Sequence, residues 1–346
     1  MTAINQALQA VSLGEVQNFA NLDITPLLAP TPGTADYLTL VEAQERGLAV
    51  VTEVSESGSV PTLLLENNAD QALFLLDGEE LVGAKQNRIL NLSLLVPANT
   101  KLEIPVSCVE QGRWSHRSRE FASTERALFS RGRARKAERV SESLRESGCR
   151  NADQGEVWDD IGEKMANMAV DSSTHAIADA YEHFAGSVDE YLQAFQTSET
   201  QIGACFVING TIRGIELFDM SDTCNKLMPK LIRSYALDAI EERPERPEST
   251  TAGSHSINDF IQAVAEAPAD SFDALGEGED LRLHSNSIAG GALAARERVV
   301  HLCAFSQGSE AGTQGHSSSM RRASARQRNR TIGPDFIDDA DDAENT

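Results

Sequence analysis

Very little in this chain announces a familiar chemistry. The five cysteines, Cys108, Cys149, Cys205, Cys224 and Cys303, are odd in number and scattered, and no CxxC pair occurs among them. Neither a disulfide framework nor a zinc-ligand spacing is therefore expected, and a reduced, cytoplasmic setting fits best. No run of about 18 apolar residues occurs, and the opening MTAINQALQAVSLGEVQ has neither a basic segment nor a long apolar core, so no membrane partner and no leader is expected. Cations are in deficit, 30 Lys and Arg against 53 Asp and Glu, giving a formal net charge of -23. Such a field repels nucleic acid and acidic membranes at long range. There is no internal repeat, and no cofactor, phosphate-loop or nucleophile signature. Neither a cofactor nor a metal is expected.

The 346 residues, 40% of them hydrophobic, suffice to fill a core. The pattern up to residue 114 is strand-rich. LAVVTEV (48–54), 61–66 and 71–76 across the polar turn at 67–70, 89–96 and 102–109 all read as strands, with a short helix over 40–46. From Arg113 to Arg150 the character reverses, with eleven Lys or Arg against five Asp or Glu. This block reads as a mobile basic loop running into a helix over 134–145. It could attract a polyanion or neutralise the acidic bulk of its own chain; with only Phe121 and Phe129 as aromatics it makes a weak stacking platform for nucleic acid.

Helical stripes follow over 156–168 and 174–195. GACFVINGTIRGIELFD (203–219) is the strongest hairpin signal, because Asn-Gly supplies the positive φ that a tight turn needs. Helices over 226–240 and 256–265 precede the last strands. The expected class is α+β: a β-rich, sandwich-like or curved antiparallel sheet core with a helical insertion packed against it. The expected organisation is a single domain over 1–305, β-rich from 15 to 114, with the basic loop and helical insertion over 115–200 and the returning hairpin and helices over 201–305. A disordered tail is expected over 306–346, where apolar residues run out and RRASARQRNR gives way to DDADDAE.

One stretch, 74–114, sets many charged and amide side chains among apolar runs, an arrangement that is costly unless the charges are paired or meet a ligand. Arg suits phosphate or carboxylate because its planar fork makes two parallel bonds. Lys85, Arg88 and Arg113 could thus gather an anion, with Glu79, Lys85 and Glu110 as candidate catalytic groups. Gln86, Asn87 and Asn91 would read a sugar or base edge, and Trp114 could stack on a base, although a tryptophan after a strand is more often core or lid. The competing reading is a buried ion-pair network that only fixes the sheet. Cys108 reads better as a small buried strand residue than as a nucleophile, and His301 within VVHLCAF as a satisfied core histidine. Asp77, Glu79 and Glu80 lack any template for a magnesium site. Glu216 and Asp219 could face the same cleft.

GEELVGAKQNRILNLSLLVPA, IPVSCVEQGRW, GACFVINGTIRGIELFD and LIRSYALDA resemble the prokaryotic ARG and rhodanese-phosphatase-superfamily-associated protein domain, formerly a domain of unknown function, over roughly residues 10–305. The resemblance implies that Glu79, Gly83, Lys85, Gln86, Asn87, Arg88, Asn91, Glu110, Arg113 and Trp114 carry the family's polar signature. Its association with ADP-ribosylglycohydrolase-type and phosphatase-type proteins points to nucleotide, ADP-ribose or RNA-repair metabolism. The resulting expectation is a protein that binds, and could process, a small phosphorylated nucleotide-like or ADP-ribose-like ligand. The alternative is a non-catalytic interaction module with a structural polar network and a basic loop for a protein or RNA partner. In either case segments 79–91 and 108–114 should meet in space.

Overall fold

Strands dominate the first third of the chain. The computed structural model describes residues 2–55, 61–112, 118–244 and 254–307. Thr2, whose hydroxyl accepts the Asn5 N–H, caps α1 (Ala3–Gln9), which buries Ile4 and Leu8. β1 (Ser12–Leu13), β2 (Gln17–Phe19) and β3 (Leu22–Leu28) follow. After β4 (Tyr37–Thr39), Thr39 and Glu42 form a reciprocal capping box that starts α2 (Leu40–Glu45). Next come β5 (Ala49–Glu53), β6 (Thr62–Asn67), β7 (Ala72–Leu75), β8 (Glu79–Gly83), β9 (Arg88–Leu90), β10 (Leu94–Val96), β11 (Thr100–Cys108) and β12 (Phe121–Ala127). Four helices, α3 (Ser130–Ser147), α4 (Gln154–Asn167), α5 (Ile177–His183) and α6 (Ala185–Ala194), separate these strands from β13 (Gln201–Ile208) and β14 (Thr211–Phe218). The chain then runs through α7 (Ser221–Glu241), α8 (Ser254–Glu266), β15 (Ala269–Asp273), β16 (Glu279–His284), β17 (Ile288–Ala295) and β18 (Arg298–Ser306).

The class is α+β with a curled antiparallel sheet. Nine strands form the largest sheet, in the order β1-β3-β13-β14-β18-β17-β16-β15 with β2 also paired to β3, so both ends of the described chain share one sheet. β13 and β14 are the hairpin that Asn-Gly signals: Asn209 and Gly210 take φ of 50° and 74°, the left-handed pair of a tight turn. A second sheet, β12-β8-β9-β11-β6-β5, carries most of the polar stretch, and a small third sheet, β10-β7-β4, includes the parallel pair β4 and β7.

Three local expectations are corrected. β6 and β7 do not pair across residues 67–70: β6 pairs β5 and β11, while β7 pairs β4 and β10. The buried Asn67 amide, which donates to the Gln71, Val96 and Pro97 carbonyls, holds that corner in place of a ladder. The run 89–96 is two strands, parted where Asn91 and Ser93 turn into a polar layer. From residue 118 onward the basic block is ordered, as β12 and α3. The expectation of disorder over 306–346 falls, from residue 308, outside the described residues.

Apolar side chains pack on both faces of the nine-stranded sheet. Phe206, Phe218, Leu231 and Tyr235 lie on the α7 side, and Leu27, Val207, Leu283 and Leu302 on the side of α1 and α8. A third cluster, including Val51, Leu65, Leu81 and Ile104, fills the six-stranded sheet.

Candidate functional site

Segments 79–91 and 108–110 do meet. Arg88 and Cys108 stand opposite each other in the β9–β11 ladder, Val109 N donates to Asn87 O at 3.1 Å, and Asn87 N donates to Glu110 Oε2 at 3.1 Å. Asn91 is a buried hub: its amide donates to Arg150 O at 2.9 Å, its Oδ1 accepts from Ser107 Oγ at 2.8 Å, and its carbonyl accepts from Lys136 Nζ at 2.7 Å. Arg113 and Trp114 lie outside the described residues.

Between β8 and β9 the chain turns through a loop that carries Lys85, Gln86 and Asn87. Gly83, at φ 155°, must be glycine, because a Cβ there would stand 2.3 Å from Glu120 O. Ala84, wholly buried, takes φ 35°, a strained value for a residue with a Cβ. Lys85 is half-buried, while Gln86, Asn87 and Arg88 are buried. Arg88 Nη1 donates to the Gln86 carbonyl at 3.4 Å and to Gln86 Oε1 at 3.2 Å. Among the described residues its Nε and Nη2 reach no hydrogen-bond acceptor, and neither oxygen of Glu53 receives a hydrogen bond, although Nη2 and Glu53 Oε1 are only 4.0 Å apart. That separation is an ion pair too long for a hydrogen bond. The Cys108 thiol lies 3.2 Å from Gln86 Oε1. Burial, with Glu53 and Glu110 adding to it against Arg88, pushes the thiol up to about 11, so Cys108 is protonated at neutral pH and is no nucleophile there.

The remaining carboxylates of the stretch turn elsewhere. Glu79, with 1% of its surface exposed, pairs with Lys230 of α7 at 2.5 Å and accepts from the Ser123 hydroxyl and from Leu76 N. Glu80, on the opposite face of β8, pairs with Arg126 at 2.7 Å and accepts from Thr124 Oγ1 at 3.1 Å. Asp77 accepts from Lys136 Nζ at 2.6 Å and from Arg133 Nε at 3.3 Å. The three carboxylates are thus closed off by different cations. Among the described residues, no three His, Cys, Asp or Glu side chains stand together as a metal-binding group.

Asp77 opens onto a charged layer that reading the sequence missed. Arg133 of α3 is wholly buried between Asp77 and Glu216, meeting Glu216 through Nη1 at 2.5 Å and Nη2 at 3.2 Å. Glu216 Oε2 also lies 3.2 Å from His301 Nε2, and His301 Nδ1 lies 2.9 Å from Ser93 Oγ, which accepts the Asp77 N–H at 2.8 Å. With Glu216 ionised, Nε2 donates to it and Nδ1 accepts from Ser93. His301 is therefore the fully bonded core histidine expected of VVHLCAF. Burial alone would raise both carboxyls. The groups beside them outweigh it: the Lys136 and Arg133 cations hold Asp77, and the Arg133 cation with the hydrogen bond from His301 holds Glu216, below the usual range. A cavity of about 10 Å3, lined by Asp77, Ser93, Asp280, Arg282, His301 and Cys303 among others, lies in this layer and is about the size that one water molecule needs. Burial pushes the Cys303 thiol up to about 12. Asp219, expected beside Glu216, belongs to a separate cluster, accepting from Tyr37 Oη at 2.5 Å and Arg298 Nε at 2.6 Å.

The basic block is mostly spent on the chain's own acids. Arg131 pairs with Glu241, Arg135 and Arg139 with Asp160, and Lys136 with Asp77. A further buried knot joins Lys164 to Asp238 at 2.5 Å and to Glu241 at 2.7 Å. A signal for Arg133 and Lys136 was present in the sequence: they fall on the same i, i+3, i+4 stripe as Ala137, Val140 and Leu144, all of which are buried.

Fold and site together define an α+β protein with a buried ion-pair layer and, on the β8–β9 loop side, a buried ion pair, Arg88 and Glu53, whose members do not hydrogen-bond each other directly. The chain belongs to the ARG and Rhodanese-Phosphatase-superfamily-associated Protein domain family, whose model matches residues 10–305. Comparison with curated proteins and with solved structures gave no match. Among the described residues, no helix is long and apolar enough to cross a membrane.

Proposed function

We propose that the protein binds a small phosphorylated ligand of the nucleotide or ADP-ribose kind at the loop that carries Lys85, Gln86, Asn87 and Arg88. The observation that carries this reading is the Arg88–Glu53 pair, in which Arg88 Nε and Nη2 and both Glu53 oxygens are buried and have no hydrogen-bond partner among the described residues. Leaving such atoms unsatisfied costs about 1–3 kcal/mol each, which a protein tolerates where a ligand or solvent completes them. The strained Ala84 adds to this, since backbone strain concentrates at binding sites. Lys85 supplies the charge for a phosphate, and Glu110, bonded to Asn87 N, fixes the shape of the loop. In this reading Glu79 is a structural anchor, already neutralised by Lys230.

A second reading, a non-catalytic interaction module, is favoured by the closure of Asp77, Glu79 and Glu80 within the chain. Its basic surface has less behind it, since Arg131, Arg133, Arg135, Lys136 and Arg139 are all ion-paired internally.

Thermal shift with ADP-ribose, NAD and mononucleotides separates the two readings. A ligand at 100 times its Kd stabilises the fold by about 2.7 kcal/mol. The expected result is a rise in Tm for the wild type that Lys85→Ala and Arg88→Ala abolish while both variants remain folded. No rise with any member of the panel would reject the ligand reading.

A further inference from the structure

We infer that the pair formed by Arg88 and Glu53 recognises a neutral hydroxyl group of the ligand, a sugar hydroxyl or vicinal diol, and not its phosphate. The inference rests on the ligand reading above and says which part of the ligand enters deepest.

Three observations carry it. First, the pair is incomplete from both sides: among the described residues, Arg88 Nε and Nη2 have no acceptor, and Glu53 Oε1 and Oε2 have no donor. Second, among the same residues the guanidinium is hydrogen-bonded through Nη1 alone, by two long contacts to Gln86, and its Nη2 stands 4.0 Å from Glu53 Oε1. Third, Arg88 is wholly buried and only 8% of the Glu53 side chain is exposed, so bulk water does not satisfy these atoms.

The chemistry of the missing group follows from the two charges. An anion seated on Arg88 would lie within about 4 Å of the Glu53 carboxylate, where like charges repel strongly in a partly buried setting. A cation seated on Glu53 would meet Arg88 in the same way. The group that suits both is neutral, accepts from a guanidinium N–H and donates to a carboxylate oxygen, and a hydroxyl does this with a single atom. An oxygen placed about 2.8 Å from both Nη2 and Oε1 fits beside a 4.0 Å gap, touching it from the side. Two neighbouring hydroxyls would engage both Arg88 nitrogens and both Glu53 oxygens. In a ligand of the ADP-ribose kind the ribose provides them, leaving the phosphates to half-buried Lys85 at the outer end of the same loop.

Calorimetric titration with matched probes tests this: AMP and ADP-ribose, each against a counterpart in which the ribose hydroxyls are replaced by hydrogen, on the wild type and on Glu53→Gln. Bonds to charged groups of this kind discriminate by about tenfold or more. The expected result is at least that loss for the deoxy probes on the wild type. Glu53→Gln should weaken the hydroxyl-bearing probes to a similar degree and leave the deoxy probes unchanged. Equal affinity of a probe and its deoxy counterpart on the wild type overturns the hydroxyl assignment and leaves the phosphorylated-ligand reading standing. No binding of any probe by folded wild type overturns both. The wild-type comparison holds whether or not the variant folds.

Discussion

Replacing Arg133 by Met tests the buried charged layer on its own terms. Arg133 has no exposed surface, and its three nitrogens bond Asp77 and both oxygens of Glu216. Methionine fills much of the same volume without charge. It leaves Asp77 with Lys136, but leaves Glu216 with only His301 and Tyr235, whose hydroxyl is 3.3 Å away. Breaking a buried pair from one side costs about 3–5 kcal/mol, because the surviving charge stays buried. In a unit of this size each kcal/mol moves Tm by about 2 °C, so a fall of roughly 6–10 °C is expected. Urea unfolding at neutral pH reads the same quantity as a lower midpoint with an unchanged slope. Arg133→Met combined with Glu216→Gln should recover part of the loss, since the stranded charge is then gone. A cost below about 1 kcal/mol is what an exposed pair would give and would refute the reasoning.

Acid stability follows from the same layer. Burial would raise Asp77, Glu216 and Asp238, yet neighbouring cations hold all three below the usual range. Their folded values lie below their unfolded ones, so the stability they add is present at neutral pH and is lost as pH falls through about 4 and below. Tm followed from pH 7 downward should drop there, and less steeply in Glu216→Gln; an identical slope in the variant would contradict this. Gly78→Ala should destabilise by more than about 1 kcal/mol in urea melts, because φ is 76° and a Cβ would stand 2.9 Å from the Arg133 side chain. A neutral effect would show that Arg133 is free to shift. Of the five cysteines only Cys149 is exposed. Native protein at neutral pH should therefore lose one thiol quickly to an alkylating reagent and the other four only on unfolding; fast labelling of Cys108 would show that its strand opens.

Local signals read through to the fold where they depend on neighbours in sequence. Asn209-Gly210 located its hairpin, and the apolar stripes located α4 and α7, because turn geometry and helical period are properties of a short stretch. The meeting of 79–91 with the described part of 108–114 was legible for a related reason, since two runs of mixed polar and apolar residues close in sequence, Arg88 and Cys108 being partners, pair readily. The charged layer was not legible. Arg133 finds Asp77 and Glu216 at separations of 56 and 83 residues, and Lys230 finds Glu79 across 151. No local period encodes which distant carboxylate neutralises which cation. The block from Arg113 to Arg150 therefore read as a mobile basic loop, although α3 turns two of its cations into the core. β6 and β7 misled for the opposite reason: a polar turn between two apolar runs is a sound hairpin signal, but here Asn67 bonds three carbonyls and sends the second run to another sheet.

The separation of structural from recognising residues within one polar stretch is tested most directly by comparing Glu79→Gln with Glu53→Gln in stability and in affinity for ADP-ribose. Glu79 is satisfied by Lys230, whereas Glu53 is not satisfied by Arg88. Glu79→Gln should lower the urea midpoint and leave the affinity of the folded protein unchanged. Glu53→Gln leaves Arg88 buried without its counter-charge, so it too should lower the midpoint, but it alone should weaken the affinity of the folded protein at least tenfold, by about 1.4 kcal/mol. The opposite pattern, with affinity lost at Glu79 and retained at Glu53, would contradict the account.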